Sequence, residues 1–459
     1  MSKNNSAQRA TFSGRLGYVL TTAGSAVGLG NIWRFPYLAA KYGGGVFLLV
    51  YLILVLTFGY TLIISETSIG RMTRKSPIGA FRHFGSGASF KFGGWINAVI
   101  PIIIGPYYCV IGGWVIRYLA GYAAGGVQAL AGDNFFSDFI ANGASVEFWF
   151  LVFAICTVVV IFFGVQKGVE KVSKVMMPAL VVLAVIVAIY SVTRPGALAG
   201  VKYFLIPDMK HFSWMTVVSA LGQMFYSLSC AMGILITYGS YMEKDVSIEK
   251  STSEVELFDT GIAILAGLMI IPAVFAFSGD KAAENLQAGP SLMFITMPKI
   301  FGSMGFGTVI GIVFFLLVFF AALTSAVSLA ETSASTFEDE LHMSRKQATA
   351  LVTVIYIGLG TLSSLGFNVL SGVTILGMDF LDFFDFLSNS VMMPIAAIAI
   401  CILVLRSVTI DGITAEVTLG GAPFKRKKIY AFILKYLSIF FLAVILGSSV
   451  LNVFGVIHM

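Results

Sequence analysis

Long apolar runs follow one another along the chain, separated by short segments that carry most of its lysines and arginines. A helix needs about 20 mostly apolar residues to cross the hydrocarbon of a bilayer. That rule predicts eleven spans, over residues 15–37, 44–70, 92–122, 145–165, 172–194, 214–241, 256–279, 305–340, 346–366, 380–406 and 428–456. The first run leads into further spans and no small-residue cleavage site follows a short apolar core, so it reads as a span and not as a removable leader. Residues 1–459 are predicted as one all-α, polytopic transmembrane domain, with 1–14 as an N-terminal cytoplasmic segment.

Two of these runs interrupt themselves. Span 1 holds Gly24-Ser25-Ala26-Val27-Gly28-Leu29-Gly30-Asn31, followed by Trp33-Arg34-Phe35-Pro36. Span 6 holds Gln223 to Gly233, with Ser, Cys, Ala and Gly in mid-span, followed by Thr237-Tyr238-Gly239-Ser240. Backbone that leaves the helix in hydrocarbon strands its N–H and C=O groups, which is tolerable only around a protein-lined cavity. The breaks lie five spans apart. Spans 1–5 (15–194) and 6–10 (214–406) therefore read as two halves of opposite orientation, with span 11 outside the repeat. Paired interrupted helices in inverted halves point to a transporter site near the midplane. Small residues in membrane helices also serve as packing positions, and a lone Gly24/Gly28 pair would read that way. Two matching clusters, one followed by an intramembrane arginine, favour a site. A nucleotide loop is rejected, since no strand precedes the glycines and no Gly-Lys-Ser follows.

Composition sharpens the class: 58% of residues are hydrophobic, only 11% are charged, and 40 are Phe. Soluble domains do not look like this. With the N-terminus cytoplasmic, the inside loops collect Arg71, Arg74, Lys75, Arg82, Lys91, Lys167, Lys171, Lys174, Lys244, Lys250, Arg345, Lys346 and the 425–428 run. The outside loops hold Lys41, Arg194, Lys202, Lys210, Lys281 and Lys299. This asymmetry obeys the positive-inside rule and accounts for the net charge of +6, leaving no argument for nucleic acid. An odd number of spans puts the C-terminus outside. Cys109, Cys156, Cys230 and Cys401 are isolated in apolar runs and read as buried small hydrophobes. His83, His211, His342 and His458 lie near span ends without zinc-ligand spacing.

Ionisable residues at membrane depth are costly unless paired or wetted. Arg34 needs a partner, and Asp382 or Asp385 of span 10 can supply it. Asp259, Glu66 and Glu331 are further candidates; each could also be a helix-end carboxylate in contact with water, a reading strongest for Glu331. In span 8, Ala321-Ala322-Leu323-Thr324-Ser325 offers adjacent hydroxyls near carbonyls, a hard-oxygen setting for a small cation. Such hydroxyls also commonly bond back to their own helix.

Together, Ala23 to Pro36, Gln223 to Tyr241 and Leu323 to Ser325 resemble the neurotransmitter:sodium symporters, across essentially the whole chain. The length is similar to an eleven-span bacterial subgroup of hydrophobic amino-acid transporters. The resemblance implies a LeuT-like fold in a bacterial plasma membrane, taking up a neutral amino acid with sodium by alternating access, as monomer or homodimer. It implies a first Na⁺ site of the Ala26 carbonyl, Asn31, Ser227, Asp259 and the substrate carboxylate. A second Na⁺ site would use carbonyls of Gly24, Val27 and Ala321 with the hydroxyls of Thr324 and Ser325. Substrate would meet Ala26, Leu29, Gly30, Tyr108, Ser227 and Ser229, with Ile104, Tyr226, Met232, Ser325 and Leu329 around its side chain. The implied outer gate is Arg34 with Asp385, over Tyr108 and Tyr226. The inner gate is Arg9 with Asp339, flanked by Phe12 and Tyr241, with Glu66 bonding the unwound segments. Asp259 stands where many members have a neutral Asn. Its fixed negative charge would replace chloride, and its protonation on the return step would allow proton exchange. Met232 stands where such pockets often hold Phe, and Ala231 where a glycine is common, so small to medium neutral amino acids are expected, with aromatic ones second.

Two other readings remain open. A sodium-permeable channel commonly builds a filter at a symmetry axis, whereas these breaks are asymmetric within one chain. An amino-acid sensor could keep the fold without turnover. No nucleophile–base constellation suggests a membrane enzyme.

Overall fold

A computed structural model describes residues 9–279, 286 and 291–453. Lys281, His458, residues 1–8 and the last three residues predicted for span 11 lie outside that set. Among the described residues, nine helices are long and apolar enough to cross a membrane: Gly45–Thr73, Ala88–Ala123, Gly143–Phe162, Val165–Val192, Ile248–Ser278, Gly307–Glu340, Arg345–Leu365, Phe380–Val408 and Lys427–Leu451. These are spans 2–5 and 7–11. Two further rods are broken. Span 1 runs as Arg15–Ala26, a π turn over Gly30–Arg34, and Phe35–Lys41. Span 6 runs as Trp214–Ser227 and Ile234–Tyr241.

Several spans begin earlier than apolar content suggests: span 5 at Val165 and not 172, span 7 at Ile248 and not 256. The added turns are polar, and specific partners hold them. Glu170 is buried and accepts from the Ser13 backbone N–H at 3.0 Å while pairing with Lys174 at 2.6 Å. Glu249 accepts the Lys425 and Arg426 backbone N–H groups and the Tyr60 hydroxyl. Glu256 pairs with Arg426 at 2.6 Å, and the Arg426 guanidinium lies 3.6 Å over the Tyr60 ring. A rule that counts apolar residues cannot see helix continued by charge pairing.

The broken rods are enclosed by spans 2, 5, 7 and 8, with Trp214–Ser227 of span 6 also touching span 11, and span 3 reaches the breaks through Asn97 and Tyr108. Span 3 is the most enclosed, with 78% of its apolar window buried, against 33% for spans 4 and 11 on the rim. Lipid tails are as apolar as a protein interior, so interior helices gain from close packing rather than from greater apolarity. A tight backbone approach joins span 2 to the C-terminal half of span 6. A Cβ at Gly70 would land on the Ile236 carbonyl, and one at Gly239 on the Thr67 carbonyl. Backbone meets backbone there, with nothing flexible to yield.

Gly70→Val is accordingly expected to lower unfolding stability by about 3 kcal/mol or to abolish folding. Gly261→Ala, where an added Cβ meets nothing within 4 Å, should stay within about 0.5 kcal/mol of the parent. Thermal unfolding in detergent compares the two, and equal losses would refute the packing argument.

Candidate functional site

In span 1 the helix ends at Ala26, and Val27 is extended at φ −75°, ψ 97°. In span 6 the chain between Ser227 and Ile234 passes through three left-handed residues, Ser229 (φ 53°), Ala231 (φ 58°) and Gly233 (φ 72°). The two openings face each other and are stitched together by side chains. Ser229 Oγ donates to the Ser25 carbonyl at 3.0 Å, and Ser25 Oγ to Ser229 Oγ at 3.1 Å. Gln223 Nε2 donates to the Gly30 carbonyl at 2.8 Å. Glu66, wholly buried in span 2, accepts the Ala231 N–H at 2.7 Å. Its other carboxylate oxygen has no protein partner among the described residues.

Two oxygen-rich clusters flank the breaks. At the first, Asp259 is fully buried and accepts from Asn31 Nδ2 at 2.7 Å, Ser227 Oγ at 2.8 Å and the Tyr51 hydroxyl at 3.0 Å. Asn31 Oδ1 is taken by the Gly28 N–H at 3.1 Å. At the second, Ser325 Oγ lies 3.4, 3.0 and 3.5 Å from the carbonyl oxygens of Gly24, Ser25 and Val27. Thr324 Oγ1 donates back to Phe320 and Ala321 at 2.9 and 3.2 Å, and its Cβ lies 3.3 Å from where a Gly24 side chain would start. The helix-internal bond expected of such hydroxyls therefore holds for Thr324, while Ser325 reaches across to the break.

Between the clusters lies a contracted cavity of about 30 Å³, lined by Ala26, Gly30, Ile104, Tyr108, Tyr226, Ser229, Met232, Ser325 and Leu329 together with Ser25, Gly28 and Ile234. Among the described residues, no charged side chain lines it. Leu29 contributes its N–H to the Tyr108 hydroxyl at 3.0 Å. Ser227 stands behind the wall, on Asp259. The close glycines matter: a Cβ at Gly28 would meet Ser325 Oγ at 2.6 Å and the Tyr108 hydroxyl at 2.7 Å, and one at Gly30 the Tyr226 ring at 2.5 Å. Tyr51, Gln223, Ser25, Gly28 and Ile234 were not assigned from sequence. Ser25 and Gly28 sit inside the first glycine cluster and Gln223 opens the second interrupted segment, which were usable signals; a tyrosine in an apolar run carries none.

On the N-terminal side the site is latched. Arg9 pairs with Asp339 at 2.6 Å, donates to Ser240 at 3.1 and 2.9 Å and to Ser335 at 2.8 Å, and lies 4.8 Å over the Tyr241 ring. Phe12 packs edge-on against Tyr18, Tyr238 and Tyr241, and its N–H donates to the Tyr241 carbonyl at 3.0 Å. Glu331 corrects its sequence reading. It is not a helix end in water but fully buried, bonded to Arg345 and to the Tyr241 hydroxyl. The partners come from the chain beyond span 8 and from span 6, so no local pattern revealed them. Asp259 and Glu66 are likewise sealed from solvent. Cys109, Cys230 and Cys401 are buried as expected, whereas Cys156 is half-buried.

On the opposite side a cavity of about 210 Å³ holds Arg34, Asp382 and Asp385, with Tyr226 as the wall it shares with the smaller one. Among the described residues no ion pair joins Arg34 to either aspartate. The Arg34 guanidinium lies 5.1 Å over the Tyr226 ring, and Asp385 accepts from Tyr107 at 3.0 Å and Asn389 at 2.5 Å.

Residues 9–125 and 134–457 match the profile of the sodium:neurotransmitter symporter family. The chain is 34% identical over 413 residues to an uncharacterized sodium-dependent transporter, YhdH, of Bacillus subtilis, covering 89% of this chain and 90% of that one. It is 26% identical over 402 residues to the human sodium- and chloride-dependent GABA transporter 2, covering 77% of this chain and 66% of the relative. Among solved structures, MhsT in complex with L-phenylalanine superposes with a TM-score of 0.87 at 37% identity, covering 96% of this chain and 100% of that one.

Tyr51→Phe should leave the buried Asp259 carboxylate one donor short, lowering stability by about 1.5–3 kcal/mol, the range for hydrogen bonds to charged groups. A melting temperature unchanged in thermal unfolding would show that the hydroxyl does not support that carboxylate.

Proposed function

Because the chain belongs to the sodium:neurotransmitter symporter family, and is thus a sodium-dependent transporter and not an enzyme, we propose that it carries a neutral, apolar amino acid across a bacterial plasma membrane. The observation that carries this reading is an uncharged cavity enclosed by two helix breaks, with an oxygen cluster on either side. Unwound segments offer carbonyls to a cation, and half-helix N-termini favour an anionic carboxylate. The substrate's carboxylate would sit near Gly28–Gly30 and the Tyr108 hydroxyl, and its amine near the Ser229 and Ala26 carbonyls. An acidic or basic side chain would leave its charge unpaired. The contracted cavity favours small to medium side chains, while Met232 can repack around larger ones. The phenylalanine bound by MhsT supports aromatic amino acids as the second class.

Two sodium ions would travel with it. The first would lie against Asp259, Ser227, Asn31 and the Ala26 carbonyl, with the substrate carboxylate completing its shell. Asn31 now turns its nitrogen to Asp259, so coordination through Oδ1 needs the amide to turn over. The second would take Gly24, Val27 and Ala321 carbonyls with Thr324 and Ser325. A shared carboxylate makes ion and substrate binding reciprocal, and couplings of this kind are typically 5- to 150-fold. The fixed charge of Asp259 would supply what chloride supplies to animal relatives, and its protonation after sodium leaves would permit proton exchange.

Arg9–Asp339 would be the inner gate, with the N-terminus cytoplasmic and the C-terminus outside. Arg34 and Asp385 would be the outer gate in its unlatched form. Closing it means drawing Asp385 from Tyr107 and Asn389 onto Arg34. A transporter that makes one gate as it breaks the other shows saturable flux; a channel would show linear flux, and a sensor ligand binding without flux.

In proteoliposomes, uptake of neutral amino acids should saturate, fall at least tenfold when Na⁺ is replaced by K⁺, and stay unchanged when chloride is replaced by gluconate. Chloride dependence would overturn the role given to Asp259; sodium-independent uptake would overturn the ion sites. Arg9→Ala, which removes a charge-assisted bond worth about 1.5–3 kcal/mol, should raise labelling from the N-terminal side of cysteines introduced along Arg15–Ala26 about tenfold or more. Unchanged labelling would contradict the inner gate.

A further inference from the structure

A groove of about 400 Å³ lies away from the transport site, between the start of span 3 and the end of span 10. Ile398, Ile402 and Arg406 follow each other at four-residue spacing along span 10, with Phe81 and Phe92 on the facing side. Phe92 is 57% and Ile402 39% exposed, so the groove opens outward, toward lipid. Its polar groups gather at one end: Arg406, with the Ser89 and Ser407 hydroxyls. That end is the membrane face that also carries the N-terminus, since span 3 begins and span 10 ends there. Among the described residues, no carboxylate lines the groove. Arg406 is exposed, and among the described residues its guanidinium has no acidic or hydrogen-bonding partner. It sits in a π turn over Val404–Val408, a local distortion that often marks functional positions.

An unpaired guanidinium at the mouth of an apolar slot calls for an anion with a hydrocarbon tail. We propose that this groove binds an anionic glycerophospholipid of the N-terminal-side leaflet, its phosphate on Arg406 and an acyl chain along Phe92, Ile398 and Ile402. Basic pockets between membrane helices on the cytoplasmic side are suited to such headgroups. A zwitterionic lipid would fill the slot equally well but would give Arg406 no net charge to neutralise. A free phosphate would satisfy Arg406 and leave the slot unused. The groove therefore selects for the two features joined in one molecule.

Full-length protein in detergent, offered phosphatidylglycerol and phosphatidylcholine in equal amounts, tests this by native mass spectrometry. The parent should retain phosphatidylglycerol about fivefold over phosphatidylcholine, the factor one basic residue supplies at an anionic surface. Arg406→Gln should bring the ratio close to one, and Arg406→Lys should keep most of it. Ile402→Trp, which fills the slot and leaves the charge, should weaken retention of phosphatidylglycerol. Equal retention by the parent, an unchanged ratio in Arg406→Gln, or full retention in Ile402→Trp would each overturn the proposal. So would displacement of the lipid by millimolar inorganic phosphate, which would assign the arginine to a free anion.

Discussion

A peptide group that leaves its helix inside hydrocarbon must find another partner, and this fold is arranged around satisfying two such interruptions at once. Each unsatisfied group would cost several kcal/mol. Glu66 takes the Ala231 N–H, Gln223 the Gly30 carbonyl, Ser229 the Ser25 carbonyl, and the Tyr108 hydroxyl the Leu29 N–H. These bonds come from spans 2, 3 and 6 onto spans 1 and 6. The broken rods are thus held by each other and by the helices that enclose them, and the carbonyls left over face the cavity and the two oxygen clusters.

The two faces of the site are held with different strength. On the N-terminal side Arg9 gathers a carboxylate, two hydroxyls and an aromatic ring, drawn from spans 6 and 8. Asp339 is further fixed by the Ser76 N–H at 2.7 Å. On the other side Arg34 rests on Tyr226, and Asp385 is held by Tyr107 and Asn389. Arg34 and Asp385 are both occupied, but by groups that bind less strongly than opposite charges do. An exchange of partners there would change the free energy modestly, as the outer gate proposed above would require.

What could be read from the chain was whatever the membrane imposes locally. A glycine cluster in span 1 and a run of Ser, Cys, Ala and Gly in span 6 located the two breaks, and hydroxyls beside them in span 8 marked the Ser325 cluster. Contacts assembled from distant segments were not legible. Asp259 and Glu331 stood out as carboxylates at membrane depth, but their partners Tyr51 and Arg345 sit on other helices at positions that show nothing unusual. Nor could enclosure be read from apolarity: span 3 at the centre and span 11 on the rim are both apolar, because lipid and protein interior reward the same residues. The polar starts of spans 5 and 7 were missed for the converse reason, their helical turns being kept by Lys174 and Arg426 rather than by burial of apolar surface.

The left-handed residues of span 6 extend the first argument. Non-glycine residues in that region cost about 1–3 kcal/mol each and persist only where surroundings over-determine them. Ser229 and Ala231 both adopt it, and each is held by a bond, to Ser25 and to Glu66 respectively. One bond reaches into the other break and the other into span 2. The strain in span 6 is therefore offset by contacts with two neighbours, and a rotation of either neighbour that lengthens its bond releases that strain. The break is stable only while spans 1, 2 and 6 keep register, which makes the cavity's shape a property of their relative position rather than of the loop itself.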